Sequence, residues 1–443
     1  MLPTASPRRP IRRAGPLVLS VAALLAGCAA YHPLPLPRTA PLAPSLAALR
    51  APPGPPLGPR LTVQDVARLA LANNPGLRAA RARLPLARAR LIAARILPNP
   101  QASAGLSPVI AGPASATGWS LGLSEDLQTL LTRPARTEAA RAAARGVAAS
   151  LLWQEWQVIA EARLLAVDLI EGNREQHLLA AARRLLARRY AATSRAVAQG
   201  NASLATAAPD LAALAAADRQ AATLARLQQQ RRHQLAALLG LAPGAALPLT
   251  RHPQLPKLPP LPDIPTHRPD LLALRYGYQA ADARLRAAIL AQFPRLNIGL
   301  VGASDTSNVR TLGPQITLDL PIFDRNQGNI AIARATRRQL RAEYIARLQT
   351  AEGQARALEA EIRLTTRQLR RAHTQLRRAT TIAAAATRAW QAGNLAERAY
   401  VDFITARIAA QRQTLALRQT LLDQRIALAT LTGAGMPRMQ VQA

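Results

Sequence analysis

The chain has 443 residues, of which 49% are hydrophobic but only 3% aromatic, and it carries a formal net charge of +33. An alanine-rich, aromatic-poor composition favours helix and fills a bulky core poorly, which weighs against a compact enzyme domain. The charge is not read as a nucleic-acid footprint, because Lys257 is the only lysine and the arginines are dispersed along helical segments without an aromatic stacking platform.

The first 27 residues read as a secretory signal. Arg8, Arg9, Arg12 and Arg13 precede the apolar stretch from Leu17 to Ala26, which is shorter than the roughly 20 residues a spanning helix needs. It ends in Leu25-Ala26-Gly27-Cys28, which resembles the lipobox of bacterial lipoproteins; the other reading is a cysteine beside an ordinary cleavage site. The lipobox resemblance implies acylation of Cys28, and Ala29 after it implies sorting to the outer membrane. Residues 28–60 are proline-dense and predict the lipid anchor followed by a stiff extended tether.

From Leu61 onward the chain says the same thing twice. NNPGLRAARARLPLARARLIAARILPNP around Pro75 is answered by HRPDLLALRYGYQAADARLRAAILAQFPRL around Pro269, and RAVAQGN by RAWQAGN. The offset stays at roughly 193 to 196 residues, so two units of one topology are expected: residues 61–245 and 266–434. A proline-rich linker at 246–265 separates them and a tail at 435–443 follows.

Each unit should run helix, two strands, very long helix, turn, helix. Strand pairs are expected near 101–124 and 295–320, where Leu296, Ile298 and Leu300 alternate with Asn297 and Gly299. Such alternation fits both a transmembrane barrel strand and an ordinary half-buried one. The proline-free stretches between Pro134 and Pro209 and between Pro321 and Pro437 then predict helices of unusual length. In the second, apolar positions step by three and four from Tyr344 through Ala351, Ala355, Leu358, Ile362, Leu369 and Ala372 to Trp390, with Thr365 as the one polar seam residue. That is a coiled-coil period, sustained over about 100 Å. Gly200-Asn201 and Gly393-Asn394 supply the left-handed turns that fold each long helix back on itself, away from the strands.

The duplicated plan, the LTVQDVARLALANNPGLRAAR opening, the LPNP and FPRL approaches to the strands, the LDLPIFDRNQG exit and the tip glycines together resemble the TolC-type outer membrane efflux proteins. The fold class is therefore read as mainly α with a small β part and internally duplicated. What the resemblance implies is a homotrimer that shares one transmembrane β-barrel and one coiled-coil α-helical barrel. It further implies an outer membrane location with a large periplasmic portion, a periplasmic adaptor, and an inner-membrane pump reached through that adaptor. The implied function is a passive duct of a tripartite efflux system. A structural periplasmic coiled-coil lipoprotein is the alternative.

No catalytic residues, metal site or cofactor are expected, since the six histidines are scattered and no nucleophile elbow occurs. Asp210, Glu397 and Asp402, just beyond the tip glycines, either form charged rings in a symmetric pore or are solvated helix positions.

Overall fold

The structure, a computed structural model, describes residues 31–113, 116–255, 260 and 262–436. The signal sequence and Cys28 lie outside the described residues. Residues 31–42 form a unit of their own that carries no helix or strand.

The first repeat contains α1 (Val63–Asn73), α2 (Pro75–Arg81), α3 (Arg83–Arg95), β1 (Gln101–Ser107), β2 (Gly118–Asp126), α4 (Leu127–Ala198) and α5 (Leu204–Leu239). The second contains the single turn α6 (Ile264–His267), α7 (Pro269–Leu290), β3 (Arg295–Ser304), β4 (Arg310–Asp319), α8 (Gln327–Gln391) and α9 (Glu397–Thr432). The repeats differ where prolines differ. Pro85 has no N–H to bond the Arg81 carbonyl and its ring crowds that carbonyl, so the stretch that α7 spans unbroken is split into α2 and α3 in the first repeat.

The long helices are those expected from the heptad spacing, with one correction. Pro134 and Pro209 do not bound helices; they lie inside α4 and α5. Each removes one backbone hydrogen bond, early in a helix whose remaining turns are continuous. The start of α4 is set instead by Asp126, whose Oδ1 accepts from the Gln128 and Thr129 amides at 2.8 and 3.3 Å. At 72 residues α4 runs about 110 Å, and the 65 residues of α8 about 100 Å.

α4 is the organising helix, packing on α1, α3, α5, α7 and α9, while α8 packs on α7 and α9. The seam of α8 is made of small residues: Ala351, Ala355, Thr365, Ala372, Ala383 and Ala386 are buried. The densest core joins α1, α4 and α5 through Val63, Leu69, Leu165, Leu169, Leu235 and Leu239. Full burial of each such leucine contributes about 1.5–3 kcal/mol.

This core also shortens the expected tether. Residues from Ala43 onward do not extend away: the Ala43 amide donates to the Gly240 carbonyl at 2.9 Å, the Leu61 amide to the Pro248 carbonyl at 2.7 Å, and Leu46, Leu49 and Leu57 pack on the core. One alanine and three leucines, Ala43, Leu46, Leu49 and Leu57, hold the segment down despite the prolines between them. The linker is docked similarly, with Leu247, Leu249 and Leu255 against the same core.

Candidate functional site

Four antiparallel strands form one sheet in the order β1-β2-β3-β4. The two repeats are joined at its centre, where β2 pairs with β3 and Leu123 stands opposite Leu300. Because paired residues share a face, the register separates two chemistries. One face carries Leu106, Trp119, Leu121, Leu123, Ile298, Leu300, Leu312, Ile316 and Leu318, with Glu125 at one end and Ser304 and Arg310 at the other; the opposite face carries Ser103, Gly105, Ser120, Gly122, Ser124, Asn297, Gly299, Gln315 and Thr317, with Val301 as its one large apolar residue. The apolar face is exposed, with Leu106 78% accessible and Ile316 68%; on the central strands β2 and β3 the polar face is more covered, while on the edge strands β1 and β4 it is exposed as well. On the polar face the packing requires glycine at Gly299, since a Cβ there would stand 2.6 Å from the Leu123 carbonyl oxygen; at Gly122 a Cβ would stand 2.6 Å from Ser103 Oγ, which can rotate away. Among the described residues β1 and β4 each have one unpaired edge.

At the other end of the long helices the two tips close identically. The Gly200 amide donates to Val197 at 3.0 Å and the Asn201 amide to Ala196 at 2.8 Å; Gly393 donates to Trp390 at 3.0 Å and Asn394 to Ala389 at 2.8 Å. This is the two-bond helix stop in which the residue after the C-cap is left-handed. Gly200 has φ of 74° and Gly393 of 77°, while Asn201 and Asn394 are not left-handed, so only the glycines supply that conformation. In the second tip Trp390 stacks on Tyr400 with ring centroids 4.5 Å apart.

The three acidic residues proposed near the tips have different surroundings. Asp210 is fully buried: its Oδ1 lies 3.1 Å from Arg189 Nε and 3.5 Å from Arg398 Nη2, and its Oδ2 accepts from Thr193 Oγ1 at 2.8 Å. It is thus neither a bare ring charge nor a solvated position. Asp402 is exposed on α9 but accepts from Arg189 Nη1 at 2.5 Å. Arg189 therefore ties the first helical hairpin to the second. Glu397 is exposed in the first turn of α9, where its charge favours the helix N-terminus.

Sequence reading missed a second charged layer, deeper between the same helices. Asp168, Glu171 and Glu175 recur along one face of α4. Arg231 of α5 reaches Asp168 at 3.0 Å, Gln419 of α9 donates to the same carboxylate, Arg174 and Arg418 flank the fully buried Glu171 at 2.7 and 3.7 Å, and Arg412 of α9 meets Glu175 at 2.9 Å. Asp423 of α9 lies beside them, and burial pushes its carboxyl up to about 7, with the Asp168 charge adding to the shift and Arg231 opposing it. The spacing of three and four residues on α4 was the available signal.

Residues 262–434 match the family described as Outer membrane efflux protein. The chain is 35% identical over 147 residues to Outer membrane protein OprJ of Pseudomonas aeruginosa, an alignment that spans 28% of this chain and 30% of that protein. Over most of its length the chain has the fold of known outer-membrane channels. It superposes on the outer-membrane channel OprN with a TM-score of 0.69 at 18% identity, covering 92% of this chain and 99% of that one. It superposes on the outer membrane protein VceC of Vibrio cholerae with a TM-score of 0.67 at 19% identity, covering 85% and 97%. The family match falls on the second repeat; the structural matches take in both repeats.

Proposed function

We propose that this chain is the outer membrane channel of a tripartite efflux system, a passive duct across the periplasm and the outer membrane. The carrying observation is the sheet: an exposed apolar face, a small and polar opposite face, and two open edges. An open edge cannot face lipid, where every backbone group must be paired, and four strands cannot close a barrel. Three copies supply about twelve strands, an even number suited to an outer-membrane barrel, with the apolar face to lipid and the serine- and glycine-rich face to the lumen. The scaffold alternative gives no reason for such a sheet.

In the homotrimer α4, α5, α8 and α9 form the wall of the periplasmic tunnel. The tips at Gly200 and Gly393 are its entrance and meet a periplasmic adaptor, which links the duct to an inner-membrane pump that provides the energy. Cys28 carries the lipid anchor. The duct does no chemistry on its cargo.

Reconstitution into a planar bilayer tests this reading. Discrete, trimer-dependent conductance steps are expected; a folded trimer that inserts but never conducts returns the chain to the scaffold reading.

A further inference from the structure

Trp156 and Arg163 of α4, Ile362 of α8, and Leu422, Arg425 and Ile426 of α9 wall a half-open cleft of about 1430 Å³, closed on another side by Leu255 of the linker. It lies where both repeats and the linker meet, away from the sheet and the tips. Small-molecule sites commonly enclose roughly 300–1,000 Å³, so the space is ample for an organic ligand.

The lining is chemically one-sided. Leu422, Ile426 and Ala429 follow one another along a single face of α9 and make an apolar strip about 10 Å long. Two arginines stand in the same wall, and among the described residues no Asp or Glu lines the cleft.

Arg163 shows the consequence. Its Nη2 donates to Gln64 Oε1 at 3.0 Å and its guanidinium lies 5.7 Å from the Trp156 ring centroid, but its Nε is buried with no hydrogen-bond partner. Burial also lowers its pKa, because the cation is partly withdrawn from water and no carboxylate pairs with it among the described residues. Nε itself is closed to the cleft, so an anion there would compensate the guanidinium charge, which no carboxylate pairs among the described residues, rather than bond that atom.

We propose that this cleft is a binding site for a single-chain amphiphilic carboxylate, its head group between Arg163 and Arg425 and its alkyl chain along Leu255, Ile362, Leu422 and Ile426. The charge of the wall selects the head group, and the continuous strip on α9 selects an extended apolar tail. Such a ligand bridges α4 of the first repeat to α8 and α9 of the second.

The test uses the full chain in lipid nanodiscs with a diazirine-bearing dodecanoate, irradiated, digested and mapped by mass spectrometry. Labelling is expected on the peptides that hold Leu255 and residues 422–429, and not with the matching diazirine dodecanol. Arg163→Gln with Arg425→Gln should lower the labelling about tenfold, the scale of one lost charge-assisted hydrogen bond. Arg163→Lys with Arg425→Lys should retain it, which separates charge from folding. Equal labelling by the alcohol, or labelling confined to the strands, overturns the proposal. So does labelling that appears only after deletion of residues 437–443, because the cleft is then filled by the chain's own tail. Labelling of the same peptides by a photoreactive phosphatidylglycerol but not by the free acid assigns the cleft to bilayer lipid and overturns it as well.

Discussion

Arg268 donates Nη1 to the Leu431 carbonyl at 3.0 Å, at the place in the second repeat where Asn74 donates Nδ2 to the Leu238 carbonyl at 2.9 Å in the first. In both, the residue before a helix-starting proline holds the last turn of the returning hairpin helix. The duplication thus preserved a contact while changing its chemistry. Arg268 does more than Asn74: it binds Asp270 through two bonds of 2.9 and 2.6 Å and lies 4.8 Å from the Trp153 ring centroid.

The two repeats should therefore respond unequally. Arg268→Ala leaves the buried Asp270 carboxylate with only the Arg347 contact at 3.4 Å, and breaking a buried pair from one side costs about 3–5 kcal/mol. Asn74→Ala loses one buried hydrogen bond, about 1–3 kcal/mol. Urea unfolding followed by circular dichroism measures both; equal losses would show that the ion pair adds nothing to the contact.

Much of this fold was legible because backbone chemistry announces itself. Pro75, Pro269, Gly200 and Gly393 each enforce or permit one conformation, and the alternation at Leu296, Ile298 and Leu300 has a fixed period. The charged layers were not legible in the same way. Asp210 is buried because the phases of α4, α5 and α9 bring Arg189 and Arg398 to it, and those phases depend on packing between hairpins rather than on local spacing. The docking of residues 43–60 was hidden for a related reason, since their prolines describe a free chain and the core that captures them lies far along the sequence.

At the tips the glycines should be sensitive for conformational reasons alone. Nothing lies within 4 Å of a Cβ built on Gly200 or Gly393, so Gly393→Ala meets no neighbour and pays only for the left-handed backbone, about 1–2 kcal/mol. Asn394→Ala, which needs no such conformation, should be nearly neutral. Hydrogen exchange of the amides at the helix ends reads the difference, and equal protection in the two variants would contradict it.

Lipid attachment at Cys28 follows from the Leu25-Ala26-Gly27-Cys28 sequence. Mass spectrometry of the mature N-terminus should find acyl groups on the wild-type chain and none after Cys28→Ser, with helix content unchanged. An unmodified cysteine in the wild type removes the anchor from the proposed function.

The ion pairs at Arg189 make the two hairpins move together near the proposed entrance. Asp402 is 61% exposed, so Asp402→Ala should cost no more than about 1 kcal/mol of stability, while releasing one tie between α4 and α9. Asp210→Ala leaves Arg189 and Arg398 without their buried partner and should cost about 3–5 kcal/mol. In single-channel records both variants should raise open probability, because the hairpins separate more readily. An unchanged open probability in both would make the cluster structural and place the gate elsewhere.

Asp423 gives the helical wall a pH dependence whose sign can be worked out. Its ordinary value is 3.8 and burial raises it to about 7 in the fold, with the Asp168 charge contributing and Arg231 opposing. Between these values the native state holds a proton that the unfolded chain has released, so stability falls as pH rises from about 4 to about 7 and then levels off. Partial exposure of the carboxyl screens the effect, so direction rather than size is the test. Asp423→Asn mimics the protonated form and should match the wild type at pH 5 while exceeding it in stability at pH 8. Urea midpoints at the two pH values decide: a variant less stable than wild type at pH 8 would mean that ionised Asp423 is held favourably by Arg231, and that the carboxylates of α4 and α9 do not repel across the seam.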